Sequence, residues 1–189
     1  MESQIRDGRK IRSELTTNLI IDTVFSIIDR GVQEISFELI AKEAGIGTRT
    51  IFRHFNDKEA LIEAVNSKLL EKFESSFPFN KKDETLKNRK ISLINFLCSQ
   101  YSKNENMFLI TLKNVWHSNQ IYKNVISWNV VAKKYVLQIL PEIEERNTSE
   151  QEIIFHCLSF TFWEKLSIIS NKNQEEIKKI FLTSLDKFI

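Results

Sequence analysis

Residues 36–65 read SFELIAKEAGIGTRTIFRHFNDKEALIEAV, and this stretch decides the fold. Ser36 is a favourable N-cap for a short helix, and Gly45 ends that helix because glycine readily adopts a left-handed conformation. A second short helix follows over residues 48–55, since Gly47 or Thr48 can cap it. Two short helices joined by a glycine turn predict a helix-turn-helix.

The distribution of glycine and proline extends the helical prediction to the whole chain. All four glycines lie before residue 48 of the 189, and Pro78 and Pro141 are the two prolines. Hairpins and phosphate-binding loops need more glycine than this, so we predict an all-α protein. Apolar residues at helical spacing predict about nine helices and a linker over 79–83. The predicted helices cover residues 10–30, 36–44, 48–55, 57–73, 84–103, 105–117, 120–140, 149–170 and 174–188.

Composition and short motifs argue against several other classes of protein. No stretch approaches the ~20 consecutive apolar residues of a membrane span, and the N-terminal residues lack a signal-peptide pattern, so we expect a cytoplasmic protein. Cys98 and Cys157 stand in apolar runs without metal-ligand spacing, which predicts buried thiols and no metal. The chain has no glycine-rich phosphate loop, HExxH motif or nucleophile elbow, so neither an enzyme nor a cofactor is expected.

The net charge by itself does not indicate a nucleic-acid-binding protein. The whole chain carries a formal charge of +2, and residues 1–60 hold nine Lys and Arg against ten Asp and Glu. The placement of individual basic residues must therefore decide the question.

A family resemblance rests on residues 36–65. They resemble the DNA-binding domain of TetR-type transcriptional regulators, whose pattern has an IA..AG turn, a short helix ending in an aromatic residue and His-Phe, and then Lys-Glu-x-Leu. With the preceding helix, the resemblance covers about the first 65 residues. It implies a three-helix DNA-binding domain over 1–57 and a helical domain over 58–189 that dimerises and binds a small-molecule effector. It also implies a homodimeric regulator of palindromic operator DNA, most simply a repressor.

The second helix of a helix-turn-helix presents its N-terminal residues to base edges in the major groove. Arg49 lies in that position and can donate two hydrogen bonds to a guanine. Lys58 and Ser36 match phosphate-contacting positions of the family, and Phe52 stands where family members commonly carry tyrosine. Phe52 is also expected to pack inward with Ile51 and Phe55. The predicted DNA-contacting residues are Ser36, Thr48, Arg49, Thr50, Phe52, Arg53, His54 and Lys58.

A basic arm precedes the first predicted helix. Arg9, Lys10 and Arg12, together with Arg6, are opposed only by Asp7. Such an arm can lie along phosphates or enter the minor groove, or it can be a solvated chain end.

Large apolar residues in the C-terminal part suggest two further surfaces. Ile153, Ile154 and Cys157 belong to a helix that is apolar on every side, and Phe181 and Leu185 belong to the amphipathic last helix. The apolar patterns of these two helices predict that they form a four-helix interface with the same helices of a second copy. The alternative is that they form the centre of a monomeric bundle. The predicted effector pocket, whose members can equally be ordinary core, comprises Met107, Phe108, Trp116, His117, Tyr122, Trp128, Phe160 and Trp163.

Two other functions are compatible with the sequence. The chain can be a helical adaptor whose helix-turn-helix packs on another protein. It can also be a DNA-bound regulator without ligand control.

Overall fold

The computed structural model describes residues 2–77 and 85–189, with side chains from residue 8 onward, and the linker predicted over 79–83 lies outside these ranges. Every regular element in the described residues is helical, which confirms the predicted all-α class. A 3-10 turn spans Pro141–Glu145 and a π-helical turn spans Lys165–Ile169. The ten α-helices are α1 (Glu2–Asp29), α2 (Phe37–Ala44), α3 (Thr48–His54), α4 (Lys58–Ser76), α5 (Leu86–Lys103), α6 (Glu105–Asn114), α7 (Asn119–Ile139), α8 (Thr148–Cys157), α9 (Phe160–Glu164) and α10 (Gln174–Leu185).

The tenth helix arises because the predicted helix over 149–170 is interrupted. Leu158 leaves α-helical geometry with φ −95° and ψ 3°, and Ser159 then caps a new helix by accepting a hydrogen bond from the Phe162 amide. The expectation of one continuous helix was wrong here, since a serine side chain at this point satisfies the amide of a fresh helix start. Asn147 caps α8 with a complete capping box.

The first compact unit comprises Met1–Ser75 and Leu109–Asn124. Its core forms where α1 packs against α2 and α3. Ile20 and Ile27 of α1, Ile40 of α2 and Ile51 of α3 are all at most 1% exposed. Burying such side chains contributes about 1.5–3 kcal/mol each, so these contacts fix the helix-turn-helix on its supporting helix.

The segment Leu109–Asn124 joins this unit through α4. The Glu59 carboxylate accepts hydrogen bonds from the Ser118 hydroxyl at 3.0 Å and from the Gln120 amide at 2.9 Å. A carboxylate at free helix amides is favourable because it satisfies them and complements the helix dipole. The start of α7 is thereby attached to the first turn of α4.

The second compact unit comprises Ser76–Phe108 and Val125–Ile189. Its core is built from α5 and α10, where Leu93, Ile94, Ile177 and Phe181 are at most 2% exposed. The compact division does not fall at residue 57, where the sequence placed the functional boundary, because α4 stays with the first unit. The functional division at residue 57 stays a prediction.

An ion pair between the buried Lys90 and the exposed Asp186 holds the end of α10 against α5. Lys90 is 5% exposed, and its ammonium group donates to Asp186 Oδ1 at 2.8 Å and to the Ile189 carbonyl. A buried ammonium needs such partners because an unpaired charge in the interior is very unfavourable. Among the described helices, none combines the length and the apolar character needed to cross a membrane.

Candidate nucleic-acid interface

The two ends of α2 follow from single residues. Ser36 has extended backbone geometry, and its Oγ accepts a hydrogen bond from the Leu39 amide at 3.2 Å. Gly45 ends the helix with φ 66°, and its amide donates to the carbonyls of Ala41 and Lys42. A side chain at Gly45 would be strained in this left-handed region although the space around it is open. The predicted start and end of α2 are therefore found in the structure.

Helix α3 is held by its inward side chains. Ile51 is fully buried and Phe55, which follows the helix, is 5% exposed. Gly47 is the N-cap without a side-chain hydrogen bond, so Thr48 is the first helical residue and not the cap. The opposite face presents the exposed Arg49 and Arg53 to solvent, with Thr48 and Thr50 half-buried beside them.

Phe52 does not lie where the sequence pattern placed it. The expectation that it packs inward with Ile51 and Phe55 was wrong, because it is 51% exposed. Residues 51 and 55 are one turn apart and fill the inward face, whereas residue 52 is rotated by about 100° from residue 51. Its ring edge packs on Phe37 of α2, with centroids 4.9 Å apart. Phe52 therefore lies on the same outer side as Arg49 and Arg53.

His54 closes α3 with a contact that the sequence analysis missed. Its Nδ1 lies 3.0 Å from the Thr17 hydroxyl of α1. Burial lowers the pKa of His54, and the positive charge of Arg53 lowers this pKa further. No sequence signal marks Thr17 as its partner, since the two residues are 37 positions apart.

The predicted phosphate-contacting residues flank α3. Lys58 is exposed at the first position of α4, and Asp57 caps that helix by accepting from the Ala60 amide at 2.8 Å. Ser36 is exposed as well, and because its oxygen serves as the helix cap its hydroxyl hydrogen is left to donate. Both residues thus present donors at helix starts, where the backbone also favours an anion.

The predicted arm is part of a helix. Helix α1 begins at Glu2, so Arg9, Lys10 and Arg12 are exposed side chains on its first turns and do not precede it. One glycine inside a helical pattern costs about 1 kcal/mol relative to alanine and need not end the helix, which runs through Gly8. Arg12 Nε donates to the Gly8 carbonyl at 3.0 Å.

The predicted effector residues fall into two units. Trp116, His117 and Tyr122 belong to the first unit, where Trp116 is 81% exposed and its ring centroid lies 6.1 Å from that of Tyr122. In the second unit, Phe108 stacks on Phe160 at 4.4 Å, and Phe160 lies 5.6 Å from Trp163. Met107 and Trp128 are half-buried in this unit. Phe108, Phe160 and Trp163 form a row of stacked rings, with Phe160 between the other two.

The predicted dimer residues separate into a buried and a surface group. Ile154, Phe181 and Leu185 are at most 1% exposed, so they belong to the core of their own protomer. Ile153 is 46% exposed, and with Cys157 it lines a groove of about 450 Å³ between α8 and α10. Ile180 and Phe188, which belong to the last predicted helix, also line this groove.

The described residues bring together no group of three or more His, Cys, Asp or Glu side chains that could hold a metal ion. The polar side chains of α3 itself, together with Lys58, are hydrogen-bond donors and cations, which suit contacts to base edges and phosphates.

Comparison with known proteins agrees with this geometry. Residues 23–65 match the model of the bacterial regulatory proteins of the tetR family. A transcriptional regulator from Rhodococcus sp. Rha1 shares the fold with a TM-score of 0.73 and 11% identity, over 91% of this chain and 95% of that chain. A TetR transcription regulator from Haloarcula marismortui has a TM-score of 0.71 and 14% identity over the same shares.

A third similar structure is that of a multidrug binding protein, EbrR, complexed with imidazole. It has a TM-score of 0.66 and 13% identity and covers 88% of both chains. A comparison with curated proteins finds no match. At these identities the structural similarity establishes the fold, and the match over residues 23–65 establishes the family resemblance. Residues 23–65 therefore resemble the tetR family of bacterial regulatory proteins, and the chain as a whole is similar in fold to solved transcriptional regulators.

Proposed function

We propose that the protein binds palindromic operator DNA as a homodimer and represses transcription under the control of a small-molecule effector. The observation that carries this proposal is the outer face of α3. Arg49, Phe52 and Arg53 are exposed there while Ile51 and Phe55 hold the helix on its support. A helix that is presented in this way fits the major groove, which is about 12 Å wide.

The residues around α3 divide into those that read bases and those that hold phosphates. Arg49 donates two hydrogen bonds to a guanine, and Thr48 and Thr50 contact neighbouring base edges or a thymine methyl group. Arg53 and Lys58 neutralise phosphates, Ser36 donates to them, and His54 lies beside Arg53 at the edge of the groove. Phe52 lies beside this surface, and Arg9, Lys10 and Arg12 of α1 add charge along the backbone of the duplex.

The groove between α8 and α10 supports the homodimer. Its apolar side chains, Ile153, Ile180 and Phe188, are incompletely covered by their own protomer. The same two helices of a second copy, related by a two-fold axis, complete a four-helix interface. A two-fold dimer presents two α3 helices and thus requires an inverted-repeat operator.

Effector control acts on the spacing of the two α3 helices. A ligand that binds one conformation of the dimer more tightly shifts the population toward it. Operator binding requires the helices to be about 34–36 Å apart, so a change in spacing releases the DNA. EbrR, which is similar in fold, has been solved in complex with the small molecule imidazole. That complex supports effector control of the present chain. We place the protein in the cytoplasm, where the DNA is.

Selection from random-sequence DNA with the purified full-length chain tests the proposal. We expect an enriched inverted repeat that is bound by two protomers, with an affinity that falls steeply as the salt concentration rises. Arg53→Ala and Lys58→Ala should each reduce the slope of this salt dependence. Unchanged DNA affinity and an unchanged slope in both variants would identify the helix-turn-helix as a protein-binding surface and would refute the proposal.

A further inference from the structure

Trp163 carries a buried hydrogen-bond donor whose acceptor is missing among the described residues. Its side chain is 1% exposed, and its Nε1 has no hydrogen-bond partner there. Buried polar groups are nearly always paired because an unpaired donor loses its hydrogen bonds to water without replacement. The indole N–H of Trp163 is thus available to an acceptor from outside the described residues.

Aromatic rings surround this donor. Phe160 lies 5.6 Å from Trp163 in a stacked arrangement, and Tyr101 lies 6.1 Å from it. Phe108 extends the stack on the far side of Phe160, with their centroids 4.4 Å apart and their planes 16° from parallel. The four rings, which we call the Trp163 cluster, offer flat apolar faces beside one polar donor.

The second polar group of the Trp163 cluster is already in use. The Tyr101 hydroxyl donates to the Leu158 carbonyl at 2.5 Å, and burial raises the pKa of this phenol, so it stays neutral. Its hydrogen is therefore committed to the backbone. Trp163 Nε1 is the donor that still needs an oxygen or nitrogen acceptor.

The backbone that carries Trp163 is irregular on both sides. Helix α9 is only Phe160–Glu164, preceded by the break at Leu158 and followed by the π-helical turn Lys165–Ile169. In that turn the Ser170 amide donates to the Lys165 carbonyl at 2.9 Å, one residue further back than in an α-helix. π-Helical turns occur frequently at functional sites. A five-residue helix between two interruptions also has few ladder hydrogen bonds to lose when its rings move to admit a molecule.

We propose that the effector is a flat, neutral aromatic molecule whose carbonyl-type oxygen accepts a hydrogen bond from Trp163 Nε1 while its ring stacks on Phe160 and Phe108. The inference rests on the proposed effector control and adds the chemical class of the effector. A neutral acceptor fits better than a carboxylate, because burying a charge among four rings costs far more than burying a carbonyl. Stacked ring pairs add favourable energy beyond the area that they bury.

Two probes of nearly equal shape test this inference by calorimetric titration of the full chain. 2-Acetylnaphthalene carries a ketone oxygen, and 2-ethylnaphthalene has a methylene group in its place. We expect the ketone to bind the wild-type protein at least tenfold more tightly. Trp163→Phe should abolish the preference, and Phe25→Leu, which alters a ring of the first unit outside the predicted effector residues, should retain it.

The wild-type comparison decides the question even where Trp163→Phe does not fold. Equal affinity of the two probes, or no binding of either, overturns the inference. A ketone preference that survives in folded Trp163→Phe overturns it as well. Binding to the selected operator, measured without a probe, tests the proposed function separately. A failure of the inferred ligand class can therefore be distinguished from a failure of the proposed DNA binding.

Discussion

The Thr17 hydroxyl lies 3.0 Å from His54 Nδ1 and joins α1 to the last residue of α3. Thr17 Oγ1 also lies 3.1 Å from the Ser13 carbonyl, to which it donates its single hydrogen. Nδ1 of His54 then carries a hydrogen and donates to Thr17, which leaves Nε2 as the second polar atom of the ring. The same histidine thus fixes the end of α3 to α1 and keeps Nε2 as an acceptor.

Replacing Thr17 by valine removes the acceptor of His54 while keeping the shape of the side chain. We expect a loss of about 0.5–1.5 kcal/mol in the free energy of unfolding, measured by urea denaturation. Thr16→Val is the matched control, since Thr16 donates to the Arg12 carbonyl within α1. Equal losses in the two variants would show that the contact to α3 adds no stability.

The stability of the protein should depend on the charge state of His54. Burial and Arg53 lower the pKa of His54 in the folded state, so the unfolded chain binds a proton at higher pH than the folded chain. Its contribution is therefore complete above about pH 6.5 and falls as the pH drops from that value through the folded pKa. Urea denaturation of wild type and His54→Gln at pH 7.5 and 5.0 measures this difference. A wild-type stability that falls no more steeply than that of the variant would contradict the account.

Gly45 and Gly47 make a matched pair at the turn of the helix-turn-helix. Gly45→Ala should destabilise the protein by about 1 kcal/mol, because φ 66° is strained for any residue with a Cβ. Gly47→Ser should stabilise it by a few tenths of a kcal/mol, since Gly47 has open space around it and lies at an N-cap without a side-chain bond. Thermal unfolding of both variants tests whether the two substitutions change the stability in opposite directions. A loss of stability in Gly47→Ser would show that a serine does not cap α3 at this position.

Arg49 and Arg53 should differ in what they recognise. Arg49→Ala should weaken the selected operator by about 1–3 kcal/mol and affect random DNA less, if its contact to guanine is bidentate. Arg53→Ala should weaken both kinds of DNA alike, since a phosphate contact carries no sequence information. Fluorescence anisotropy with both duplexes measures the losses. Equal losses of Arg49→Ala on the two duplexes would refute its role in base reading.

The groove between α8 and α10 should be the dimer interface. Ile153→Asp places a carboxylate in it and should weaken dimerisation by about 100-fold or more, measured by analytical ultracentrifugation. Ile169→Asp is the control, because Ile169 is 74% exposed in the same unit and does not line the groove. A dimer that survives Ile153→Asp but not Ile169→Asp would place the interface elsewhere.

Local signals predicted the helix-turn-helix well. Ser36 and Gly45 mark the ends of α2 through their own chemistry, and the spacing of Ile51 and Phe55 marks the inward face of α3. The outward position of Phe52 depends on Phe37 of another helix, so the pattern of α3 alone could not reveal it. The Thr17–His54 contact depends on tertiary packing for the same reason.

The surfaces of the C-terminal part were harder to predict. An apolar residue such as Ile154 or Phe181 shows that a helix face needs cover, but not whether its own protomer or a second copy supplies it. Both residues turned out to be covered within the protomer. The unpaired donor of Trp163 could not be predicted either, because hydrogen-bond satisfaction depends on the packed neighbours.

Hydroxyl-radical footprinting of the full-length chain on the selected operator tests the central claim most directly. We expect two protected segments that are related by two-fold symmetry and centred one helical turn of DNA apart, or a multiple of it. Both segments should weaken in Arg49→Ala. A single protected segment, or protection that Arg49→Ala leaves unchanged, would contradict the claim that two α3 helices read the operator.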